Sequence, residues 1–281
     1  MTLANPLPVK PFLKIRAASG FASVDLKEMW QFRDLLLALA ERDVKLRYKQ
    51  TALGVIWVVL QPLLGAGIFT FVFGRVAKFD SDGVPYFIFS YAGLLGWNAF
   101  NSTLSKGSAV VVQNAQLVSK VYFPRLLLPL STVASTLVDF AVAMGLMIIL
   151  MIVHRIVPGI GILLLPVWLV LLVLLGAGIA LFASALMVSY RDLQYVIPIL
   201  LQFLLYASPV AYAVKVIPDR LRAIYMLNPI AGLLEAFRWS LLGTGHLHPG
   251  QIAYSAAMVI AIFLFGAFSF AKMEQQFADV I

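Results

Sequence analysis

Asp139 is the one acidic residue deep inside a long apolar run of this 281-residue sequence. A carboxylate in hydrocarbon costs about 2.5–3.5 kcal/mol on insertion scales, so it must face a protein interior, a water-filled path or a partner. A proton relay is the chemistry such a residue could perform. A relay needs further titratable groups at depth, and the apolar runs offer none; hydrogen bonds to Ser131, Ser135 or Thr136 are the structural alternative. The histidines, His154, His246 and His248, fall in polar segments between runs. His246 and His248 could touch one ion, but no third ligand stands near them, so no metal site is expected. The sequence has no Gly-x-x-x-x-Gly-Lys-[Ser/Thr], and so no loop to cradle the phosphates of ATP. It also lacks His-Glu-x-x-His, Gly-x-Ser-x-Gly and paired aspartates, which argues against an enzyme. With no cysteine, neither a disulfide framework nor a thiolate metal site is available, and the redox compartment stays open.

The elements that must position these residues follow from composition. The chain is 62% hydrophobic and 12% charged, with a mean hydropathy of +0.93. Soluble domains average about 45–50% apolar and about 25% charged, so the solvent for much of this surface is lipid. The net charge of +8 might suggest a nucleic-acid partner in a soluble protein. In a membrane protein it is the expected surplus of Lys and Arg in retained loops, so no nucleic acid is implied. The first 28 residues are polar and proline-bearing and do not read as a removable signal peptide.

About 20 apolar residues cross a bilayer as a helix, and six runs of that order occur. They are Ala52–Ala77, Val84–Leu104, Leu126–Val153, Ile160–Val188, Gln194–Val214 and Gln251–Lys272. Continuous runs of this length suit helices rather than barrel strands. The fold class expected is therefore all-α, a polytopic membrane protein with six transmembrane helices. The basic residues from Lys10 to Lys49, with Lys106, Lys120, Arg125, Arg191 and Lys272, fall on one side and outnumber the others two to one. That side is expected to be cytoplasmic and to carry both termini.

Three segments outside the runs carry further signals. In Met29–Arg42, Phe32, Leu35, Leu36 and Leu39 share one helical face opposite Asp34, Glu41, Arg42 and Lys45, the pattern of a helix lying in the membrane interface. It could be a platform for a partner or simply an anchor. In the loop 105–125, a short helix between Gln113 and Lys120 would turn polar side chains outward and Leu117, Val118 and Val121 inward, with Pro124 opening the third span; an ordinary turn is the alternative. The outer segment 215–250 is too long and apolar for a plain loop. Asn228-Pro229 reads as an N-cap and first helical residue, Ile230, Leu233, Leu234, Phe237 and Leu241 form an apolar face, and Gly243 ends it. With a second helical pattern at Pro218–Leu227, this gives two short re-entrant outer helices that dip into the outer leaflet, or a lid that seals the bundle, with Glu235 and Arg238 near water.

Two residue classes inside the runs could serve transport. Tyr86, Phe87, Phe89, Tyr91, Trp97 and Phe100 enrich the second run in rings, which stack on the C–H faces of sugars but also sit in lipid or at interfaces. Gly65, Gly67, Gly176, Gly178, Ala180 and Ser184 permit close helix approach, at a dimer seam or within the subunit.

Together the motifs resemble a known family. They are Arg42-Asp-Val-Lys-Leu-Arg-Tyr-Lys-Gln-Thr51, Leu53-Gly-Val-Ile-Trp57 with Gln61-Pro62, Asn114 to Arg125, Ser189-Tyr-Arg191-Asp192-Leu-Gln-Tyr-Val-Ile-Pro198, Ser208-Pro209-Val-Ala-Tyr212 and Asn228-Pro229. In this order and spacing, from Met29 to Ala271, they look like permease subunits of ABC-2 type transporters, and within these the subunits that export O-antigen, capsule or teichoic acid chains.

The resemblance implies a non-catalytic subunit in the bacterial inner membrane. Two copies would form the conduit for a lipid-linked polysaccharide, and two ATP-binding cassette subunits would bind ATP and Mg, leaving this chain without a cofactor. Residues 1–28 would be a cytoplasmic segment, 29–50 the interface helix and linker, 51–272 the transmembrane domain and 273–281 a cytoplasmic tail. Asn114, Gln116, Leu117, Lys120 and Arg125, with Arg191 and Asp192, would couple to the ATPase. The six rings and Asp139 would line the substrate path. Asn228, Pro229, Glu235 and Arg238 would belong to outer gate helices at 215–245. Two alternatives stay open: an ABC-2 exporter of a drug, peptide or lipid, and a secondary transporter driven through Asp139.

Overall fold

The computed structural model describes residues 26–49, 54–245, 247–274 and 277. The expectations for residues 1–25, the linker at 50–53, His246 and the end of the tail lie outside these. From the first described residue the helices are α1 (Leu26–Gln31), α2 (Arg33–Lys49), α3 (Gly54–Phe69), α4 (Tyr86–Gln113), α5 (Ala115–Lys120), α6 (Leu127–Val153), α7 (Leu165–Ser189), α8 (Leu193–Tyr206), α9 (Asp219–Tyr225), α10 (Pro229–Leu242) and α11 (Pro249–Met273). A π-helical stretch, Thr70–Val76, prolongs α3, and a 3-10 turn, Ile160–Leu164, leads into α7. No strand occurs among the described residues.

The long helices alternate in direction, so α1, α2, α5, the α7–α8 turn and the end of α11 gather at one end of the bundle. Arg42, Lys120, Arg125, Arg191 and Lys272 lie there, and it is called the basic end below. Among the described residues, four helical stretches are both long and apolar enough to cross a bilayer: Ile56–Val76, Leu127–Val153, Ile160–Ser189 and Pro249–Met273. The second expected run is the 28-residue α4, long enough at 1.5 Å per residue but less apolar. Its position explains the composition. α4 is the central helix, packed against α3, α6, α7 and α10, and from Ile88 to Phe100 only Asn98 is not buried. A helix sheathed by protein does not need a lipid-compatible surface.

The fifth expected run, Gln194–Val214, is not one helix. α8 has 14 residues, about 21 Å, and stops at Tyr206. Pro209 cannot donate a backbone N–H and disfavours helical geometry at Ser208, so the chain leaves the helix here. The released carbonyls find side-chain partners. Tyr212 hydroxyl donates to Tyr206 O at 2.7 Å, Tyr86 hydroxyl to Ala211 O, and the Arg238 guanidinium to Pro209 O and Val210 O at 2.5 and 3.1 Å. Side-chain donors thus take up carbonyls that an apolar setting could not leave open.

Two further expectations shift. Pro124 precedes α6 by three residues, capping a turn in which Leu127 N donates to its carbonyl at 3.0 Å. Val121 is exposed rather than turned to the bundle, because the chain becomes extended after Lys120. The small residues of α7 serve packing inside the subunit. A Cβ on Gly176 would lie 2.8 Å from Phe100 O, and one on Gly178 would lie 2.6 Å from Phe263 Cα.

Candidate functional site: a basic end, a neutral groove and a stapled outer cap

At the basic end, α1 and α2 form the expected helical segment and extend it to Lys49. Leu39 is buried and Phe32, Leu35 and Leu36 pack with it against Val118, Phe123 and Leu128, so the apolar face of α2 docks on the bundle. α5 turns Val118 inward and half-buries Leu117, while Gln116, Ser119 and Lys120 are exposed. Asn114 links α4 to α5, its Nδ2 donating to Val110 O at 2.8 Å. Arg191 and Asp192 are exposed in the α7–α8 turn. Arg125 is otherwise engaged. Its backbone N donates to Glu274 Oε1 at 3.0 Å, its guanidinium donates to Glu274 O at 2.9 Å, and it lies over the Phe277 ring. Burial raises the Glu274 carboxyl above its ordinary pKa, opposed by the Arg125 N–H. The chain after α11 therefore clasps the α5–α6 connector, and Tyr122 in that connector donates to Glu28 of α1 at 3.1 Å.

Asp139 is enclosed by partners that its own run does not supply. Oδ1 accepts from Tyr48 hydroxyl at 2.5 Å and pairs with Arg47 Nε at 2.8 Å, while Oδ2 accepts from Lys106 Nζ at 2.8 Å. Lys106 also donates to Ser135 Oγ at 3.0 Å. The expected hydroxyls of Ser131, Ser135 and Thr136 bond elsewhere; the partners are two cations and a phenol, with Ser135 one step removed through Lys106. Asp139 thus ties α2 and α4 to α6.

The six rings of the second run divide. Phe89, Tyr91 and Phe100 are fully enclosed, with Tyr91 hydroxyl donating to Ala143 O at 2.9 Å. Tyr86 and Phe87 are half-buried, and Trp97, itself buried, backs the wall of a groove of about 490 Å³ between α3, α4 and α8. This groove also takes in Gln61, Asn98, Asn101, Gln202 and Tyr206, and no charged side chain lines it. Sequence reasoning passed over its carboxamides, although Asn98, Asn101 and Ser105 at i, i+3 and i+7 share one helix face.

At the opposite end, Asn228 caps α10 through Ile230 N at 3.0 Å and donates to Ser208 Oγ at 3.0 Å; Pro229 follows as first residue, and Gly243 closes the helix with φ +67°. α10 is almost wholly buried among α4, α7 and α11. Arg238 is not at a water boundary. It is 3% exposed, with its guanidinium carbon 3.9 Å from the Phe89 ring centroid. The opening of the fifth run draws it inward to supply the donors that segment needs. Glu235 is half-buried and accepts from Val214 N at 3.1 Å, and burial raises its carboxyl's pKa. Lys215 pairs with Asp80 and Asp82, and its hydrogen bond holds the Asp80 carboxyl below the ordinary value. Of the histidines, His154 closes α6 with Nδ1 2.9 Å from Leu150 O, and His248 precedes α11.

Four helical stretches long and apolar enough to cross a bilayer, packed with the sheathed α4 and with an amphipathic helix docked at one end, mark a multi-pass membrane protein. Residues 34–242 match the family model described as ABC-2 type transporter, and the chain belongs to that family. It is 29% identical over 259 residues to the O-antigen export system permease protein RfbA of Myxococcus xanthus, covering 91% of this chain and 98% of that one. A permease of the same description from Klebsiella pneumoniae is 28% identical over 88% of this chain and 95% of its own. The polysialic acid transport protein KpsM of Escherichia coli is 25% identical over 81% and 88%.

Proposed function

We propose that this chain is the membrane-spanning, non-catalytic subunit of an ATP-driven exporter that moves a lipid-linked polysaccharide across the cytoplasmic membrane. Two copies form the conduit, and two ATP-binding subunits, which hold ATP and Mg, dock at the basic end. That end, with both termini, is cytoplasmic by the positive-inside rule. Six crossings follow if the sheathed α4 and the broken fifth run, closed by its second copy, count with the four apolar spans. α9 and α10 are then the outer gate helices.

The neutral groove carries the reading. A chain of sugar repeats that must slide needs shallow, repeated contacts, and the carboxamides beside the exposed Tyr206 supply hydrogen bonds and a ring face on a lining without charge. A cationic drug or peptide would call for a carboxylate in that lining, and Asp139, which borders an adjoining space with Gln61, Asn98 and Asn101, is already engaged by Arg47, Tyr48 and Lys106. Gln61→Leu with Asn101→Leu is expected to reduce surface glycan about tenfold, equivalent to about 1.4 kcal/mol, while assembly with the ATPase persists. Unchanged glycan export with both substitutions would remove the groove from the path.

The basic end offers a second test. Lys120→Glu, at an exposed position, should lower substrate-stimulated ATP hydrolysis several-fold in the assembled complex with no change in thermal midpoint. Arg125→Glu should instead lower the midpoint, since it removes the guanidinium from Glu274 O and the Phe277 ring and sets a second carboxylate beside Glu274. Equal ATPase rates in wild type and Lys120→Glu would exclude that contact.

A further inference from the structure

The groove reaches Leu205 and Tyr206 at the end of α8, and the chain that follows, 207–214, turns inward at that end. Ser208, Pro209, Val210, Ala211, Ala213 and Val214 are all buried, although none of them belongs to a long helix. Val210 O is set so closely against Gly93 of α4 that a Cβ there would overlap it, one residue from the groove-lining Leu94. Buried irregular backbone is stable only where its polar groups are met. The main-chain hydrogen bonds of this segment are local: Ala207 N to Phe203 O, Val210 N to Ser208 O and Val216 N to Ala213 O. Side chains tie it to other elements. Tyr86 hydroxyl donates to Ala211 O, Val214 N donates to Glu235 Oε1, and Arg238 donates to Pro209 O and Val210 O.

Arg238 makes both of its bonds through one nitrogen, Nη2, and its buried Nε has no hydrogen-bond partner. Glu235 stands one turn earlier on α10 and is spent on Val214 N instead. At i and i+3 of one helix, these two side chains are natural partners for each other. Both are occupied by the inward segment.

We propose that 207–214 is the moving part of the outer gate and that Arg238 is its latch, released by an exchange of partners. With the segment inward, Arg238 and Glu235 hold its backbone. When it withdraws, both side chains are freed together and pair on α10, so neither charge is stranded in an apolar setting. α10, almost wholly buried among α4, α7 and α11, stays in place. That the movement opens an export path rests on the export reading above; the exchange itself does not.

The chain has no cysteine, so a single introduced thiol can report the movement. Ala211→Cys in the segment and, as a comparison, Ala185→Cys in α7 replace residues 5% and 0% exposed. Each is treated with a water-soluble maleimide in the full chain in phosphatidylcholine nanodiscs, with neither ATPase nor glycan. Reaction at a buried thiol follows the population of the open form. Arg238→Met is expected to speed labelling of Ala211→Cys about tenfold, the size of one charge-assisted hydrogen bond, and to leave Ala185→Cys unmoved. Tyr86→Phe removes the donor to Ala211 O without touching α10 and should speed it several-fold, even if Arg238→Met fails to fold. Glu235→Gln keeps an acceptor for Val214 N but removes the charge that receives Arg238 in the open form, so it should slow the reaction several-fold. Equal acceleration at both thiols would reduce Arg238 to a structural role and overturn the latch. Labelling of Ala211→Cys unmoved by Arg238→Met and Tyr86→Phe, or not slowed by Glu235→Gln, would overturn it as well. These rates need no transport, so they stand or fall apart from the groove test.

Discussion

Asp139→Ala is expected to destabilise the chain by about 1–3 kcal/mol, below the range for a fully buried pair because the Arg47 and Lys106 side chains remain 41% and 21% exposed. Asp139 is 8% exposed and takes Arg47, Tyr48 and Lys106 from two other helices. Without it, two cations face each other across the space it occupied, and their repulsion adds to the lost attraction. Asp139→Asn keeps one acceptor and should lose less. Asp139→Ala with Lys106→Met removes one of the stranded charges and should recover part of the loss. Thermal midpoints of the detergent-solubilised variants would separate these cases. A double variant no more stable than Asp139→Ala would show that the cations are not coupled through this carboxylate. The same geometry bears on the secondary-transport alternative, since Asp139 is built into the joint between three helices, where its partners among the described residues are two cations and a phenol rather than further acids.

Much of the fold is written locally. The Asn228-Pro229 start and the Gly243 stop of α10 are chemical signals read within a few residues, and the structure places both where expected. The face of Phe32, Leu35, Leu36 and Leu39 was legible because a helical period needs no knowledge of what it packs against; that it docks on α6 and the α5–α6 connector was not. The fifth run misled because hydropathy counts Ser208, Pro209 and Tyr212 as brief interruptions. The cost of the break depends on whether donors reach the freed carbonyls. Those donors come from Tyr86, 125 residues away in sequence from Ala211, and from Arg238.

The site was less legible for the same reason. Aromatic residues in the second run drew attention as rings for stacking, yet Phe89, Tyr91 and Phe100 face the most crowded part of the bundle, since α4 is its centre. A ring count cannot separate a groove from a core. The better signal was the set of uncharged amides inside apolar runs, Gln61, Asn98, Asn101 and Gln202, because each would be expensive against lipid and so marks a shared polar surface. Asp139 was visible as an anomaly; its partners Arg47 and Lys106 were not, because each reads as an ordinary cation of a retained loop.

The crossing of α7 and α11 should be the least forgiving point in the bundle. A Cβ on Gly266 would lie 2.0 Å from Gly178 O, 2.8 Å from its carbonyl carbon and 3.2 Å from its Cα, so the obstacle is backbone. From the other side, a Cβ on Gly178 would lie 2.8 Å from Phe263 N. No rotamer change relieves these contacts, so even Gly266→Ala must push the two helices apart along one of the most extensive contacts in the subunit. Overpacking of this kind costs about 1–3 kcal/mol where side chains can yield, and more where they cannot. Gly266→Leu is expected to leave little monodisperse protein after solubilisation, and Gly266→Ala to lower the thermal midpoint clearly. Gly145→Ala on α6 is the control, because nothing lies within 4 Å of the added atom. There, relief from the glycine penalty in a helix should hold or raise stability by about 0.5–1 kcal/mol. Equal midpoints for Gly266→Ala and Gly145→Ala would mean that α7 and α11 do not meet at Gly178. A selective loss at Gly266 would locate the closest helix–helix approach at the crossing of α7 and α11.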